Sequence, residues 1–395
     1  MTFLKDIILK PITGEWGTDG EIVKVLRTTN FTNAGVIDFS KITYRDISRK
    51  KIDQKKLLKG DIIIEKSGGS PKQPVGRVVF FDEDGVYLCN NFTSILRPKK
   101  DKVVPKYLHY LLYASHRFGV TSLFQNKTTG IINLQLPRYI DKLQIPLPPL
   151  KTQIQIADIL DNAASLRDKT EQLLKEYDLL AQSIFLEMFG DPVKNPKDFK
   201  TESLSNYGSF KNGLNFSKSE SGFKVKYLGV GDFKSKYKLE KMNKLSFINL
   251  SSLPSEDYFL KDGDLVFVRS NGNRQLVGRC IAIFPKDKRV TFSGFCIRYR
   301  LNNNNLNSIY LTHLFRNNSF KNVMLEGGRG ANIQNINQQI LGSLKIPIPK
   351  PTLQNQFVEK IALIEQQKEL AKQELKESED LFNCLLQKAF KGELV

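Results

Sequence analysis

Apolar positions along this chain follow two rhythms, and each rhythm is present twice. Asp61-Ile62-Ile63-Ile64 and Asp264-Leu265-Val266-Phe267-Val268 are short apolar, β-rich runs after a Gly-Asp turn, which predicts strands. Residues 76–81 and 278–284 have the same character and are predicted as their hairpin partners. Residues 107–118 and 310–320 have helical spacing. A longer rhythm follows each of these mixed segments. After Pro146, Pro148 and Pro149, Thr152 and Gln155 form a capping-box pattern. Apolar residues then recur at Ile156, Ile159, Ala163, Leu166, Leu173, Tyr177, Leu180 and Ile184, with a gap at Thr170. The second series follows Pro347, Pro349, Pro351 and Thr352. It runs through Phe357, Ile361, Ile364, Ala371, Leu375, Phe382, Leu385 and Ala389, interrupted by Lys368 and Ser378. Spacing of three and four predicts two long helices with coiled-coil seams, ending at Gly190 and Gly392. The residues expected to carry helix–helix packing are Ile159, Leu166, Leu173, Tyr177 and Leu180 in the first, and Ile361, Ile364, Leu375, Phe382 and Leu385 in the second.

The two halves are copies. Val23-Lys24-Val25-Leu26 matches Val225-Lys226-Tyr227-Leu228, and Val75-Gly76-Arg77 matches Val277-Gly278-Arg279. Lys106-Tyr107-Leu108 matches Ile309-Tyr310-Leu311, and Asn133-Leu134 matches Asn335-Ile336. Ile145-Pro146-Leu147-Pro148 matches Ile346-Pro347-Ile348-Pro349. The spacing stays between 201 and 203 residues, so chance does not explain the series. Between these anchors the halves diverge: residues 67–72 and 270–274 share almost nothing. A common frame with different loops suits two readers of different ligands. The predicted fold class is α+β. Its expected segments are 1–148, a first mixed domain; 149–190, a long helix; 191–349, a second mixed domain; and 350–395, a second long helix.

Charge separates the domains from the helices. The chain of 395 residues carries 60 Lys and Arg against 41 Asp and Glu, a net +19. Residues 1–148 hold a net +10 and residues 191–349 a net +13, whereas 149–190 hold −3 and 350–395 hold −1. Two basic domains point to an acidic partner such as nucleic acid, and the helices offer no phosphate-neutralising surface. No apolar run is long enough for a membrane span, and the N-terminus lacks the pattern of a signal peptide. Cys89, Cys280, Cys296 and Cys384 lack metal-ligand spacing and fit buried thiols in a reducing cytosol.

Catalytic motifs are missing. There is no G-x-x-x-x-G-K-[ST] phosphate loop, no Asn-Pro-Pro-Tyr-like motif and no Phe-x-Gly-x-Gly loop. His109, His116 and His313 lie on apolar helix-like stretches and are read as packing or surface residues. Glu374 and Lys376 have nuclease-like E-x-K spacing but sit in a charged helix. No catalytic residue and no metal ligand is assigned. Gly327-Gly328-Arg329-Gly330 could cradle a phosphate or be a plain turn.

The order basic domain, Ile-Pro-Leu-Pro with Leu150 and Gln153, long helix, then basic domain, Ile-Pro-Ile-Pro with Leu353 and Gln356, long helix, resembles the specificity subunit of type I restriction–modification systems. The closing Ala389-Phe390-Lys391-Gly392-Glu393-Leu394 is also like that family. The lead before Val23 is short by comparison. The resemblance implies two pseudo-repeated target recognition domains, separated by two long antiparallel coiled-coil helices, that read a split site in double-stranded DNA. It implies that the helices set the unread spacer and dock two methyltransferase subunits, which restriction subunits join. S-adenosylmethionine, Mg2+ and ATP belong to those partners, and none is expected on this chain. The rival readings are a DNA methyltransferase or nuclease with an unfamiliar site, and an RNA-binding coiled-coil scaffold.

Lys and Arg on phosphates supply affinity, while Arg, Asn, Gln and Lys on base edges supply specificity. The candidate DNA-binding residues are those of the variable loops. In the first half they are Arg27, Thr28, Thr29, Asn30, Lys66, Ser67, Lys72, Gln73, Arg77 and Lys127. In the second they are Lys234, Arg269, Asn271, Asn273, Arg274, Gln275, Arg279, Arg329 and Asn332. Asp61 and Asp264 are read as turn formers.

Overall fold

A computed structural model describes the chain apart from residues 71–72, 129–130, 218–219, 234–235, 327–334 and 395. It divides into two compact units. One joins Met1–Gln172 to Lys372–Val395; the other is Leu173–Ala371.

In the first unit, Asp61–Glu65 is flanked by Val78–Phe81 and Thr93–Leu96, with Ile12–Thr13 at the edge. Ile63 sits opposite Val79 and Ile95 in antiparallel register. A second sheet aligns Thr43–Asp46, Thr18–Leu26 and Tyr87–Cys89. The second unit repeats both. Asp264–Val268 lies between Cys280–Ile283 and Cys296–Leu301, while Phe247–Leu250, Phe223–Leu228 and Val290–Phe292 form the smaller sheet. Every residue of both central strands is buried, which explains the apolar runs Ile62–Ile64 and Leu265–Val268; the buried carboxylates at their ends are paired with arginines.

The Gly-Asp turns owe their persistence to the aspartate. Asp61 is 1% exposed, accepts two 2.8 Å bonds from Arg97 and a third from Leu58 N–H. Asp264 repeats this with Arg300, at 2.8 and 2.7 Å, and with Lys261 N–H. Each carboxylate joins a turn to a neighbouring strand by a bidentate pair.

Pro105–Arg117 forms the expected helix of the first unit. In the second, the apolar stretch is two helices, Ser308–Arg316 and Asn318–Glu326. Asn317 breaks it: its backbone is extended (ψ 134°), and its side chain caps the next helix through Ser319 N–H.

The long helices span Leu150–Phe189 and Pro351–Lys391. Thr152 therefore lies inside the first turn rather than at its cap. The buried Gln153 fixes this end instead, accepting from Val104 N–H and donating to Lys102 O and Pro148 O. Gln354 does the same with Asn307 N–H, Asn305 O and Pro349 O. Gly190 and Gly392 end the helices at φ of 74° and 76°, which favours glycine.

The helices pack antiparallel within each unit. Ile156, Leu160 and Ala163 meet Phe382, Leu386 and Ala389 in the first core; Ala181, Phe185 and Phe189 meet Phe357, Ile361 and Ile364 in the second. The seam differs from the expected one. Leu166 and Leu180 are 43% and 45% exposed, so neither belongs to it. Thr170 and Ser378, which read as a gap and an interruption, are buried seam positions. Their hydroxyls donate to Leu166 O and Leu375 O, so no polar group is stranded. Of the other expected packing residues, Ile361, Ile364 and Phe382 are buried, while Ile159, Leu173, Tyr177, Leu375 and Leu385 are half-buried.

Burial lifts the thiols of Cys89 to about 11 and Cys296 to about 12, and raises that of Cys280 as well. These three are inert core residues. Cys384 departs from the expectation, being exposed on the second long helix.

Candidate nucleic-acid interface

The variable loops leave the sheets at equivalent points. In the first unit Lys66 N–H donates to Phe92 O at 2.9 Å, and Lys66 O accepts from Leu134 N–H at 2.8 Å. In the second, Arg269 N–H donates to Phe295 O at 2.8 Å, and Arg269 O accepts from Ile336 N–H at 2.9 Å. The loops also close alike, with Glu65 N–H on Arg77 O and Val268 N–H on Arg279 O, both at 2.9 Å. A single basic residue thus stands at each root, locked on both sides by backbone bonds. Burial holds the Lys66 ammonium below its ordinary pKa.

In the first unit the loop borders a polar cleft of about 560 Å³. Thr28, Thr29, Phe31, Thr32, Asn33, Glu65, Gly68, Gln73 and Arg77 line it. Thr29 and Gln73 are exposed, and Thr28 is half-buried. Two residues expected to contact DNA are used internally. Asn30 is 1% exposed; its side chain donates to Asp38 O and Lys41 O and accepts from Arg27 N–H. Arg77 makes a bidentate pair with Glu65, at 2.9 and 2.8 Å, and also donates to Phe31 O and Thr28 O. Asn30 and Arg77 therefore shape the cleft instead of reaching out of it. Breaking a buried pair of this kind costs about 3–5 kcal/mol. The sequence reading missed Glu65, whose only signal is a second carboxylate closing the run Asp61-Ile62-Ile63-Ile64.

The remaining candidates divide by placement. Arg27 is half-buried and donates to Lys41 O, and the Ser67 hydroxyl bonds Asn133. Lys127 lies on the strand Gln125–Thr128, opposite Ile132. In the second unit the Asn271 side chain accepts from Asn273 N–H, and that of Asn273 from Gln275 N–H. These successive Asx turns lead into the short helix Arg274–Leu276. Asn273 and Gln275 are exposed, whereas Arg269, Asn271 and Arg279 are half-buried. Lys72, Lys234, Arg329 and Asn332 lie outside the described residues, as does the 327–330 turn.

Of the histidines, His109 and His313 are packed within the units, and His116 is half-buried beside Pro74 O. Among the described residues no group of three His, Cys, Asp or Glu is placed to hold a metal ion.

The duplication has a counterpart among known families. The family model described as the type I restriction modification DNA specificity domain matches twice, at residues 18–176 and 196–379. The chain belongs to the type I restriction–modification DNA specificity family. Among its relatives is the type I restriction enzyme EcoKI specificity subunit of Escherichia coli K12. The two are 25% identical over 400 residues, covering 95% of this chain and 83% of that one. The StySPI specificity subunit of Salmonella potsdam is 24% identical over the same shares. A chain from a solved structure concerned with complex assembly and conformational transition of the type I R-M system shares the fold. It has a TM-score of 0.60 at 16% identity, covering all of this chain and 97% of that one. In this specificity chain each family match contains one variable loop, with its root at Lys66 or Arg269.

Proposed function

We propose that this chain selects the DNA sequence for a type I restriction–modification complex by reading a bipartite site, one half with each target recognition domain. The observation that carries the reading is the repeated loop root, with the same backbone bonds at Lys66 and Arg269 but different loops beyond them. Residues 1–148 and 191–349 are the reading domains, and the helical segments 149–190 and 350–395 set the unread spacer. Side chains that point out of the frame read bases: Thr29 and Gln73 in the first half, Asn273 and Gln275 in the second. Lys66, Arg269 and Arg274 hold phosphates or base edges, with Lys72, Lys127, Lys234, Arg329 and Asn332 beside them.

The chain performs no catalysis. The long helices dock two methyltransferase subunits, and restriction subunits join them; S-adenosylmethionine, Mg2+ and ATP act on those partners. No described helix is long and apolar enough to cross a membrane, and the basic domains meet DNA in the cytoplasm. Methylome sequencing of cells with and without this chain, together with its methyltransferase, tests the reading. A split motif should depend on the chain, and exchanging residues 1–148 for those of a relative should change one half only. A continuous motif, or an exchange that alters both halves, overturns it.

A further inference from the structure

Phe92 and Phe295 are 46% and 62% exposed, each on the tight turn that joins two strands. A single exposed phenylalanine is ordinary on any protein surface. These two stand at equivalent points, and the backbone bonds that close each turn, brace it and tie it to the loop root are repeated. The turns close by Thr93 N–H on Asn90 O at 3.0 Å and Cys296 N–H on Ser293 O at 2.8 Å. A glycine strand edge braces each one: Gly14 N–H donates to Thr93 O at 3.2 Å and Gly213 N–H to Cys296 O at 3.1 Å. The approach is close enough that a Cβ on Gly14 or Gly213 would come within 2.1 Å of Asn90 O or Ser293 O. Each phenylalanine carbonyl then accepts the N–H of the basic loop root, Lys66 or Arg269.

The neighbours on the turn have diverged. Asn90, Asn91 and Thr93 stand where Ser293, Gly294 and Cys296 stand in the other half. The positions buried in both halves, Asn90 and Thr93 against Ser293 and Cys296, changed while the exposed ring stayed. A core requirement would have produced the opposite pattern, so the ring serves something outside the fold. It is carried on a rigid turn bonded directly to a basic residue at the base of a reading loop, in a domain of strong positive charge. That setting suits duplex DNA.

We infer that Phe92 and Phe295 are DNA-contacting residues, each pressing its ring on the bases of its own half-site beside the loop root. The inference rests on the bipartite reading above. An aromatic contact of this kind adds affinity without releasing counterions, so it differs in signature from a phosphate-binding lysine or arginine.

The test uses the full chain in complex with its methyltransferase and a fluorescein-labelled duplex carrying the methylome-defined site. Phe295→Ala should weaken binding about tenfold with the salt slope unchanged. The loss should vanish on a duplex whose second half-site is scrambled, and Phe295→Tyr should restore binding. Phe92→Ala should behave as the mirror image. Unchanged binding by both alanine variants overturns the inference, as does a loss indifferent to which half is scrambled. Release of the methyltransferase from the Phe295→Ala complex on size exclusion overturns it too, placing the ring at a protein interface. If the parent complex itself ignores scrambling of either half, the bipartite reading fails instead.

Discussion

Lys368 Nζ lies 2.7 Å from Asp178 Oδ1, joining the two long helices of the second unit, and 2.7 Å from Glu365 one turn away. Lys368 occupies a seam position between Ile364 and Ala371. Burial works against its charge, but hydrogen bonds with Asp178 and Glu365 outweigh it and raise the ammonium pKa. A cation at one seam position fixes helix register more than it adds stability. Asp178 is largely exposed and stays solvated without its partner, so Lys368→Leu should change stability by no more than about 1 kcal/mol. Lys368→Glu, which gathers three carboxylates, should lower it clearly. Thermal denaturation of the full chain compares the two.

Gln153 and Gln354 should be far less tolerant. Gln354→Leu strands Asn307 N–H, Asn305 O and Pro349 O, each left unsatisfied at about 1–3 kcal/mol if water cannot reach it. Hydrogen exchange should show early loss of protection at Asn307 in Gln354→Leu and at Val104 in Gln153→Leu. Unaltered protection at these amides would show that the side chains are not needed to fix the helix ends.

The packed histidines give acid sensitivity. Burial depresses the pKa of His109 to about 4, with Asp161 opposing and Lys106 assisting; that of His313 falls to about 3 with help from Arg316 and Lys368. Both are neutral in the fold and take up protons near pH 6.5 when unfolded. Stability is therefore fully present above that pH. It should fall as pH drops from about 6.5 toward 4, by up to about 1.4 kcal/mol per pH unit for each histidine. His109→Phe should flatten the slope of melting temperature against pH in that window.

Exposed and seam positions on the helices should separate folding from assembly. Leu179, Leu363 and Leu370 are 62%, 64% and 56% exposed. Replacing them with lysine should leave the melting temperature near that of the parent and weaken capture of the methyltransferase. Phe382→Ala, which empties a seam position, should cost about 3–5 kcal/mol. Co-purification and thermal denaturation, run on the same variants, check both outcomes.

The repeat, the central strands and both long helices were legible because each is written in runs of apolar residues or in Gly-Asp and proline punctuation. The seam was only partly legible. Leu166 and Leu180 are more hydrophobic than Thr170 and Ser378, yet the hydroxyl residues face inward because they satisfy themselves on the preceding turn. The site suffered from the reverse problem. Asn30 and Arg77 have the chemistry of base readers, but nothing in their spacing announces that Asp38 O, Lys41 O and Glu65 already occupy them. Asn317 hid a helix break because an asparagine within an apolar rhythm looks like one polar face.

The division of the chain into units sets an order on its making. Leu173–Ala371 is one uninterrupted stretch, whereas the unit that opens with Met1 needs Lys372–Val395 to complete its core. On a ribosome the domain encoded second acquires all its partners first. The domain encoded first leaves Ile156, Leu160 and Ala163 only partly covered until Phe382, Leu386 and Ala389 emerge. Proteolysis of stalled nascent chains should find the later domain resistant while the earlier one is still cleavable. For that interval the half-made molecule is a reader of one half-site with a sticky apolar stem, a state in which early capture by a partner or chaperone would decide its fate.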